Sequence, residues 1–419
     1  MNKQVKRYLL IIALGLSIAL GGCGKEAGLE STTEAAAEES AVVSSEETLE
    51  TEQEPEEPEA PEPVKPEEPE EISVVMVGDM LLHDRIEKYA KTEDGSYDYT
   101  SLFTYTKSDI ESADLAIVNE EVIIGGEELG VSGYPAFNAP FEFADALADC
   151  GFDVICHATN HALDKGGKGI LNCLSNWEEN YPDIEVLGIH DSKDDQDNLY
   201  IFEKNGIRVA VLNYTYGTNG ISLPSDMPYG VDYLSESAVT EDIKRAEEEA
   251  DFTVVCPHWG TEYRLDPDSY QEKWAEIFVK NGVDLVLGTH PHVIEPVDLI
   301  EDEETGNRML TFYSLGNYVN WTSGTGEGVS NRMLGLMAKV TLKKDEAGNT
   351  IIEEYDAVPL VSHVESGFGK ITVYPLSDYT EELASKNEIV KQAPDFSYEY
   401  LCGLAESVLK ENEPLTPSL

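Results

Sequence analysis

Short apolar runs alternate with longer amphipathic segments through most of this 419-residue chain, and this alternation restricts the folds available to it. Short continuous apolar runs are typical of strands buried on both faces, whereas apolar residues at helical spacing are typical of helices packed on a sheet. Together they predict an α/β protein with buried sheets. The predicted strands are 72–77, 115–118, 154–155, 186–188, 209–212, 253–256, 285–287 and 309–313, and the predicted helices are 141–148, 167–180, 237–250 and 269–281.

The pattern changes after about residue 335, where polar and apolar residues alternate and turn residues separate the runs. This change predicts antiparallel edge strands at 336–342, 350–355 and 371–373, with turns at 347–349 and 366–367. Residues 376–419 predict a peripheral helical segment. Glycines predicted to end a helix before the next strand are Gly151, Gly206 and Gly282.

The N-terminus follows a different pattern. A basic segment, 3–7, precedes the apolar stretch 9–20, which is too short to span a bilayer comfortably and instead predicts a signal peptide. Residues 20–23, Leu-Gly-Gly-Cys, resemble the bacterial lipobox. That resemblance implies cleavage after residue 22 and a lipid on Cys23; the alternative is an ordinary signal peptide that contains a cysteine. We therefore expect a protein anchored by lipid to the extracellular face of the cell membrane.

Residues 24–71 cannot form a core, because they hold 18 Glu, two Lys and few large apolar residues. Proline recurs from Pro55 onward, and proline together with like charges favours extended chain. We predict that 23–71 is a disordered N-terminal stalk. At about 3.1 Å per residue it could reach on the order of 100 Å through the cell wall. A passive linker is the alternative interpretation.

The charge of the remaining domain excludes one class of function. The whole chain carries −54, the leader +3 and the linker −16, which leaves −41 for residues 72–419. Binding to a nucleic-acid backbone requires Lys and Arg to displace counterions, so no nucleic-acid partner is expected. Such a surface favours the accumulation of cations.

The cysteines do not predict a disulfide framework. Once Cys23 is assigned to the lipid, five remain, an odd number, and several lie in apolar strand-like runs. Small buried thiols are expected. A bridge from Cys156 to either Cys150 or Cys173 stays open, and without a CxxC pair a thiolate zinc site is not expected.

Residue types that bind metals follow five of the predicted strands. The carboxyl ends of strands in an α/β sheet converge on one edge, where ligands bind. Taken alone, each such residue could be a turn cap or a satisfied polar group, but four of the eight histidines fall in these loops. The five segments, which predict a site of oxygen and imidazole donors, are Gly78-Asp79, Asn119-Glu120-Glu121, Thr159-Asn160-His161, Pro257-His258-Trp259-Gly260 and Gly288-Thr289-His290-Pro291-His292.

These segments belong to longer motifs, in order, between about residues 72 and 320. They include Asp114-Leu-Ala-Ile-Val-Asn119-x-Glu121, Asn160-His161-Ala-Leu-Asp164, His258-Trp259-Gly260-x-Glu262-Tyr263 and Tyr313-Ser-Leu-Gly-Asn317. The set resembles the CapA family, the poly-γ-glutamate capsule biosynthesis group of the metallophosphatase-like superfamily. The resemblance implies a four-layer α/β/β/α sandwich of metallophosphatase type, which we expect over residues 72–375.

The resemblance also implies a divalent metal cofactor, expected as two ions of Mn, Zn or Fe, and a role for each residue. In the implied arrangement Asp79 and His292 bind the first metal, Glu121 bridges, Asn160, His258 and His290 bind the second metal, and His161 is the acid that protonates a leaving oxygen.

Some positions depart from the superfamily pattern. The usual Asp-x-His has Leu81 in place of its histidine, and the bridge is Glu121 rather than an aspartate. Glu120 would place a second carboxylate beside the site. His83 is either a further ligand or a capping residue.

Three more residues have supporting roles with alternatives. Glu262, with its neighbour Tyr263, either positions a substrate or braces the loop after His258. Asn317 is expected to hydrogen-bond a metal-binding loop. Asp164 either orients His161 or caps the helix that begins near residue 166.

The function predicted on these grounds is a surface lipoprotein for the biosynthesis or export of poly-γ-glutamate capsule or another envelope polymer, with a metal-dependent hydrolase-type site. One alternative is an extracellular metallophosphoesterase unrelated to capsule. The other is a non-catalytic assembly factor for a membrane-bound polymer synthase. The expected partners are the membrane, that synthase, and an anionic envelope polymer or phosphoester substrate. A polyanion would be repelled by the acidic domain unless cations bridge the two.

Overall fold

The computed structural model describes residues 71–365 and 370–409, all within one compact unit, Pro66–Leu419. The predicted signal peptide, the lipid on Cys23, all but the last residue of the predicted stalk and the turn at 366–367 lie outside the described residues. Within the described ranges, no helix combines the length and apolar character needed to cross a membrane. The five cysteines from Cys150 to Cys402 are free thiols.

Fourteen strands are described, and their order along the chain separates two sheets. The first four are β1 (Glu71–Met80), β2 (Leu115–Glu120), β3 (Val154–Cys156) and β4 (Glu185–Leu187). The next six are β5 (Ile201–Lys204), β6 (Ile207–Thr215), β7 (Phe252–His258), β8 (Leu285–Leu287), β9 (Val297–Glu301) and β10 (Arg308–Phe312). The last four are β11 (Asn317–Val319), β12 (Leu334–Lys344), β13 (Thr350–Val364) and β14 (Ile371–Pro375).

The first sheet takes its strands from both ends of the domain. Its order is β14-β13-β12-β1-β2-β3-β4, with β11 pairing alongside the end of β1. Strands β1 to β4 run parallel, whereas β12, β13 and β14 are antiparallel to their neighbours. The second sheet has the order β5-β6-β7-β8-β10-β9, with β6, β7, β8 and β10 parallel. Each sheet therefore has a run of adjacent parallel strands, and the predicted ligands lie at or after the carboxyl ends of these strands.

Helices connect the parallel strands. The α-helices are α1 (Asp84–Ala90), α2 (Lys107–Glu111), α3 (Glu142–Cys150), α4 (Gly166–Asn180), α5 (Lys193–Gln196), α6 (Glu236–Glu249), α7 (Ser269–Asn281), α8 (Glu381–Lys386) and α9 (Tyr398–Leu409). Short 3-10 helices occupy Thr100–Phe103, Glu127–Leu129, Ser330–Met333, Leu376–Asp378 and Glu388–Lys391. All eight predicted strands of the first pattern and all four predicted helices are present, with small differences at their ends.

Three apolar layers hold the elements together, and alternate residues of a strand serve different layers. In β1, Val74 and Met76 pack between the two sheets, whereas Val75 and Val77 pack toward the helices of the first sheet. Fully burying one such side chain contributes about 1.5–3 kcal/mol. The second sheet is covered on its outer side by α6 and α7, through residues such as Ile243. The predicted four-layer α/β/β/α sandwich is confirmed.

Two details of the sequence prediction are wrong. Strands β12 and β13 are antiparallel as predicted but lie inside the first sheet. Strand β12 pairs with both β1 and β13, and of the three predicted edge strands only β14 is at an edge. Gly206 does not end a helix: it follows β5 and forms, with Asn205, the two-residue turn into β6. Both turn residues have positive φ, 51° and 74°, as such hairpins require. Gly151 and Gly282 do end helices in the left-handed conformation.

The C-terminal segment is helical over its described part and contributes to the core. Helices α8 and α9 follow β14, and Ile389, Phe396 and Leu401 join the apolar layer between the sheets.

Candidate metal centre

The predicted ligands come together because parallel strands end at one edge. In the first sheet Asp79 is in register with Asn119 of β2 and with Asn317 of β11. In the second sheet, His258 at the end of β7 bridges to Thr289, just after β8. The two edges face each other across the interior, so the loops of both sheets contribute side chains to one buried cluster.

Two groups of metal-ligating side chains lie in this cluster, and Glu121 belongs to both. One group is Asp79, Glu121 and His292; the other is Glu121, His258 and His290. In each group one potential ligand atom per residue lies within 4.8 Å of the others, and every member is buried. Apart from Asn160, the two groups have the members that the family resemblance implied, and Glu121 is common to both. The metal-binding role of each residue stays a prediction.

The chemistry of Glu121 fits a cation. Its carboxylate is fully buried, and neither oxygen has a hydrogen-bond partner within the described ranges. Nε2 atoms of His292, His258 and His161 surround Oε1 at 3.6, 3.8 and 4.0 Å. Burial, followed by the charge of Asp79, raises the pKa of Glu121 well above its usual range. A buried carboxylate without a partner is costly unless a proton or metal ion compensates it.

Asp79 and His292 are held in place by several neighbours. Asn119 Nδ2 donates to Asp79 Oδ1 at 2.9 Å. Nδ1 of His292 lies 3.1 Å from both Asp79 Oδ2 and Asn317 Oδ1. Since both are acceptors, Nδ1 carries the proton and Nε2 faces Glu121. Burial works against the charged ring, but Glu121 and Asp79 raise the pKa of His292 to about 9.

The second group is built on neutral imidazoles. Burial lowers the pKa of both His258 and His290 well below the usual range, which leaves their nitrogens free to bind metal. Nδ1 of His258 lies 3.0 Å from Thr289 Oγ1, and its Nε2 lies 3.1 Å from Asn160 Oδ1. Nδ1 of His290 is buried and has no hydrogen-bond partner in the described part of the chain. Asn160 is therefore next to His258, where the sequence placed it.

The backbone of the β8 loop is unusual at both ligand positions. His290 and His292 have positive φ, 99° and 58°, a region that non-glycine residues rarely adopt. The N–H of His290 points at Asp79, with both carboxylate oxygens at 3.3 Å. Holding two histidines in this conformation costs on the order of 1–3 kcal/mol each. Such strain is concentrated at functional sites.

His161 stands at the edge of the cluster with a carboxylate behind it. Its Nδ1 lies 2.6 Å from Asp164 Oδ2, so of the two roles predicted for Asp164 the structure shows the orienting one. Phe137 packs edge-on against the imidazole, with ring centroids 4.7 Å apart. Because Nδ1 faces the carboxylate, Nε2 is the nitrogen that faces Glu121.

A pocket of about 180 Å³ opens beside the cluster and is lined in part by His161 and His292. The residues predicted to have supporting roles, His83, Glu262 and Asn317, all line it. His83 is in neither ligand group; it precedes α1 and packs edge-on against Phe137. Asn317 donates to the backbone oxygen of His292 at 2.9 Å, the loop contact that was expected.

Glu120 does not add a second carboxylate to the site, contrary to the prediction. Successive strand residues point to opposite faces, so Asn119 and Glu121 reach the cluster while Glu120 points away. Its Oε1 accepts the N–H of Val122 at 3.2 Å. Burial raises the pKa of Glu120 well above the usual range.

Several residues of the site, including Phe137, had no role predicted from the sequence. Tyr216 packs against His290 with ring centroids 4.6 Å apart, Thr289 orients His258, and Arg332 enters the pocket from the 3-10 helix before β12. Thr289 could have been found from its position between β8 and His290. Tyr216 directly follows β6, so the strand-end rule could also have found it, whereas Arg332 lies in a 3-10 helix that no local pattern connects to the site.

Comparison with known proteins gives a consistent family. Residues 73–322 match the family described as Bacterial capsule synthesis protein PGA_cap. The PGA biosynthesis protein CapA of Bacillus subtilis (strain 168) is 28% identical over 295 residues, which cover 69% of this chain and 73% of that protein. The Capsule biosynthesis protein CapA of Bacillus anthracis is 27% identical over 262 residues, covering 60% of this chain and 61% of that protein.

Solved structures give more distant similarities. A putative 5'-nucleotidase from Staphylococcus aureus aligns with a TM-score of 0.41 and 16% identity, covering 73% of this chain and 54% of that chain. The NAD nucleotidase of Haemophilus influenzae aligns with a TM-score of 0.44 and 14% identity, covering 81% of this chain and 59% of that chain. The chain thus spans less than two thirds of each nucleotidase and of the Bacillus anthracis relative.

Proposed function

Because this chain belongs to the bacterial capsule synthesis protein PGA_cap family, we propose that it acts in the biosynthesis or export of poly-γ-glutamate capsule or a related envelope polymer, through a metal-dependent hydrolase-type site. The observation that carries the proposal is the position of Glu121. It lies in two buried ligand groups at once, with both oxygens unpartnered within the described residues. The names of two relatives, PGA biosynthesis protein CapA and Capsule biosynthesis protein CapA, support the proposed polymer, poly-γ-glutamate capsule.

The proposed cofactor is a pair of divalent ions, Mn, Zn or Fe. Asp79, Glu121 and His292 would hold one ion, and Glu121, Asn160, His258 and His290 the other. Ions so placed would stabilise the charge that develops on the reacting group and position the substrate. The chain's own contribution is to fix the ligands: Asn119, Asn317 and Thr289 each hydrogen-bond one of them.

His161 is proposed as the general acid. Asp164 holds Nδ1 and Phe137 holds the ring face, so the imidazole has one orientation, with Nε2 toward the cluster. A substrate in the adjacent pocket would receive a proton from Nε2 at its leaving atom, the oxygen of a phosphoester or the nitrogen of a γ-amide. A positioned acid of this kind contributes roughly 10²–10⁴-fold to the rate.

The proposed location is the extracellular face of the membrane, with a lipid on Cys23 and the acidic stalk between membrane and domain. Poly-γ-glutamate and this domain are both negatively charged, so free polymer would be repelled. We therefore propose that the polymer reaches the site at a membrane-bound synthase, where both are held by the same membrane. An anionic chain end or a phosphoester is the proposed substrate class.

A second candidate function, a non-catalytic assembly factor for that synthase, is favoured by Leu81. It occupies the position where the superfamily pattern has a histidine, and in the structure it lines the pocket and packs in the helix-side core. One expected ligand is therefore replaced by an apolar side chain. In this second candidate function, the protein takes part in capsule synthesis but catalyses no reaction.

Metal analysis tests the centre itself. The full-length chain should co-purify with a divalent metal, measured by inductively coupled plasma mass spectrometry, and the His290→Ala/His292→Ala double variant should lose it. The matched control is His363→Ala, because His363 is a buried histidine outside the cluster, bonded to Tyr379. Equal metal content in wild type and the double variant would overturn the proposed site.

A hydrolysis screen separates the candidate functions. Purified protein with Mn²⁺ or Zn²⁺ would be offered poly-γ-glutamate, a phosphomonoester and a phosphodiester, with His161→Gln as the control. Cleavage of the glutamate polymer that His161→Gln abolishes supports the proposal. Cleavage of phosphoesters alone supports a phosphoesterase unrelated to capsule. A metal-loaded protein that cleaves none of the three supports the assembly factor.

A further inference from the structure

Arg332 is a cation in the pocket beside the metal centre of a strongly acidic protein. The chain has 82 acidic and 28 basic residues, yet within the described ranges Arg332 forms no ion pair. Of the twelve described residues that line the pocket beside the metal centre, it alone carries a permanent positive charge. The protein has many carboxylates, yet none of the described ones pairs with Arg332. Its guanidinium can therefore bind an external anion.

The guanidinium of Arg332 lies over an aromatic ring. Its central carbon lies 3.6 Å from the ring centroid of Tyr263. Nη1 donates to Thr322 Oγ1 at 3.3 Å, and Nε is buried without a hydrogen-bond partner in the described chain. Stacking occupies the face of the guanidinium and leaves the N–H groups in its plane, which match the oxygens of a carboxylate or phosphate.

Backbone hydrogen bonds connect both Tyr263 and Arg332 to segments that hold the candidate metal ligands. The N–H of Tyr263 donates at 2.7 Å to the oxygen of Pro291, between the two histidines of the β8 loop. The backbone oxygen of Arg332 accepts from Asn317 Nδ2 at 3.0 Å, and Asn317 also holds His292. The cation is therefore fixed relative to the centre from two separate segments of the chain.

We propose that Arg332, stacked on Tyr263, binds an anionic group of the substrate, a carboxylate or a phosphate, and thereby sets which substrate enters the pocket beside the metal centre. This inference rests on the proposed function and names the substrate class of the same site. It also gives the acidic domain one local point of attraction for a polyanion. Glu262 lines the same pocket, and its negative charge would repel a second anion there.

Binding measurements on the full-length chain test the proposal. Two probes distinguish the sources of the anion: a γ-linked glutamate oligomer for carboxylate, and inorganic phosphate for phosphate. Calorimetry should show that wild type binds at least one of them. Arg332→Met should weaken that binding by about tenfold to a hundredfold, the range for a lost charged hydrogen bond. Arg332→Lys should restore only part, because lysine cannot form the paired contact.

Controls separate recognition from folding. Arg308→Met removes an exposed arginine at the start of β10, away from the pocket lining, and should bind as wild type does. Tyr263→Leu removes the aromatic ring that contacts the guanidinium of Arg332 and should weaken anion binding. Tyr263→Phe keeps the ring and should bind the anion as wild type does. Wild type that binds neither probe, or Arg332→Met that binds as tightly as wild type, would overturn the proposal.

The outcome is separable from that of the proposed function. Anion binding that depends on Arg332, without turnover of any substrate, would keep the anion site and remove the hydrolase. Turnover with an unchanged KM in Arg332→Met would keep the hydrolase and remove the anion site. In a hydrolysing protein, the expected effect of Arg332→Met is a raised KM with kcat changed less.

Discussion

Asp164 Oδ2 lies 2.6 Å from Nδ1 of His161 and also accepts the backbone N–H of Phe137 at 2.7 Å. One carboxylate oxygen thus holds both the imidazole of His161 and the backbone N–H of Phe137, whose ring packs against that imidazole. His161 and Asp164 are three residues apart in a turn, so their contact depends on local geometry and not on the pairing of distant strands.

Asp164→Asn should separate orientation from metal binding. The amide can present a donor where the carboxylate only accepts, so the ring can turn or change tautomer. We expect kcat to fall by roughly 10²–10⁴-fold in any reaction that uses His161 as acid, with metal content unchanged. Steady-state kinetics together with metal analysis would check this. Asp149→Asn, an exposed aspartate paired with Lys107, should retain wild-type kinetics; loss of metal from Asp164→Asn would contradict the prediction.

Glu121→Gln should have different effects on the metal-free and metal-loaded protein. Without metal, the neutral amide removes the repulsion from Asp79 and also the attraction to His292, so these two effects offset each other and the stability of the fold should change little. With metal at a hundred times its Kd, wild type should gain about 2.7 kcal/mol. We expect the variant to lose that gain.

Thermal unfolding with and without EDTA measures both effects. Glu406→Gln, an exposed position on α9, should behave like wild type in both conditions. A Glu121→Gln protein that Mn²⁺ or Zn²⁺ still stabilises fully would contradict a bridging role.

The candidate ligands could be found in the sequence because their positions follow from a local rule. Each lies within a few residues of the carboxyl end of a parallel strand, and the fold brings those ends together whatever the loops do. Glu121 was preferred to Glu120 from its motif position, and strand alternation accounts for the place of Glu121, and not Glu120, in the cluster. Leu81 was likewise visible as a departure before its place in the pocket was known.

The pocket could not be predicted in the same way. Arg332 meets Tyr263 only because a 3-10 helix before β12 returns to the loop after β7, a contact set by tertiary packing. The interior position of β12 escaped prediction for a related reason. Strand order depends on pairing between distant segments, here β12 with β1, and no local pattern encodes it.

His190 gives a pH dependence of stability away from the metal centre. Its Nε2 lies 2.7 Å from Asp232, and its Nδ1 lies 3.5 Å from Asp195. Burial opposes the charge, but the two carboxylates raise the pKa of His190 to about 9 from 6.5. The protonated ring therefore stabilises the fold fully below about pH 6.5, and this contribution is lost as pH rises to about 9.

We expect His190→Gln to lower the free energy of unfolding by on the order of 3 kcal/mol at pH 6 and by much less at pH 9.5. Urea unfolding of both proteins across this range measures the difference directly. A difference that grows with pH would contradict the raised pKa.

Gly78 lies at a close backbone approach in the site, and a methyl group there should disrupt it. A Cβ at Gly78 would lie 2.0 Å from the backbone oxygen of Gly316, the atom that accepts the N–H of Asp79 at 2.9 Å. Because the obstacle is backbone, neither side can yield without moving β11 and the ligand Asp79. We expect Gly78→Ala to cost about 3 kcal/mol or more and to reduce metal content.

Gly403→Ala is the matched control, since it makes the same change where the added Cβ meets no atom within 4 Å. Gly403 is exposed within α9, where alanine is favoured over glycine by about 1 kcal/mol, so this variant should be slightly more stable than wild type. Urea unfolding and metal analysis of the two variants would show opposite signs in stability and a metal loss in Gly78→Ala alone. Equal stability of the two variants would mean that β1 and β11 can separate without consequence, and that Asp79 does not depend on their contact.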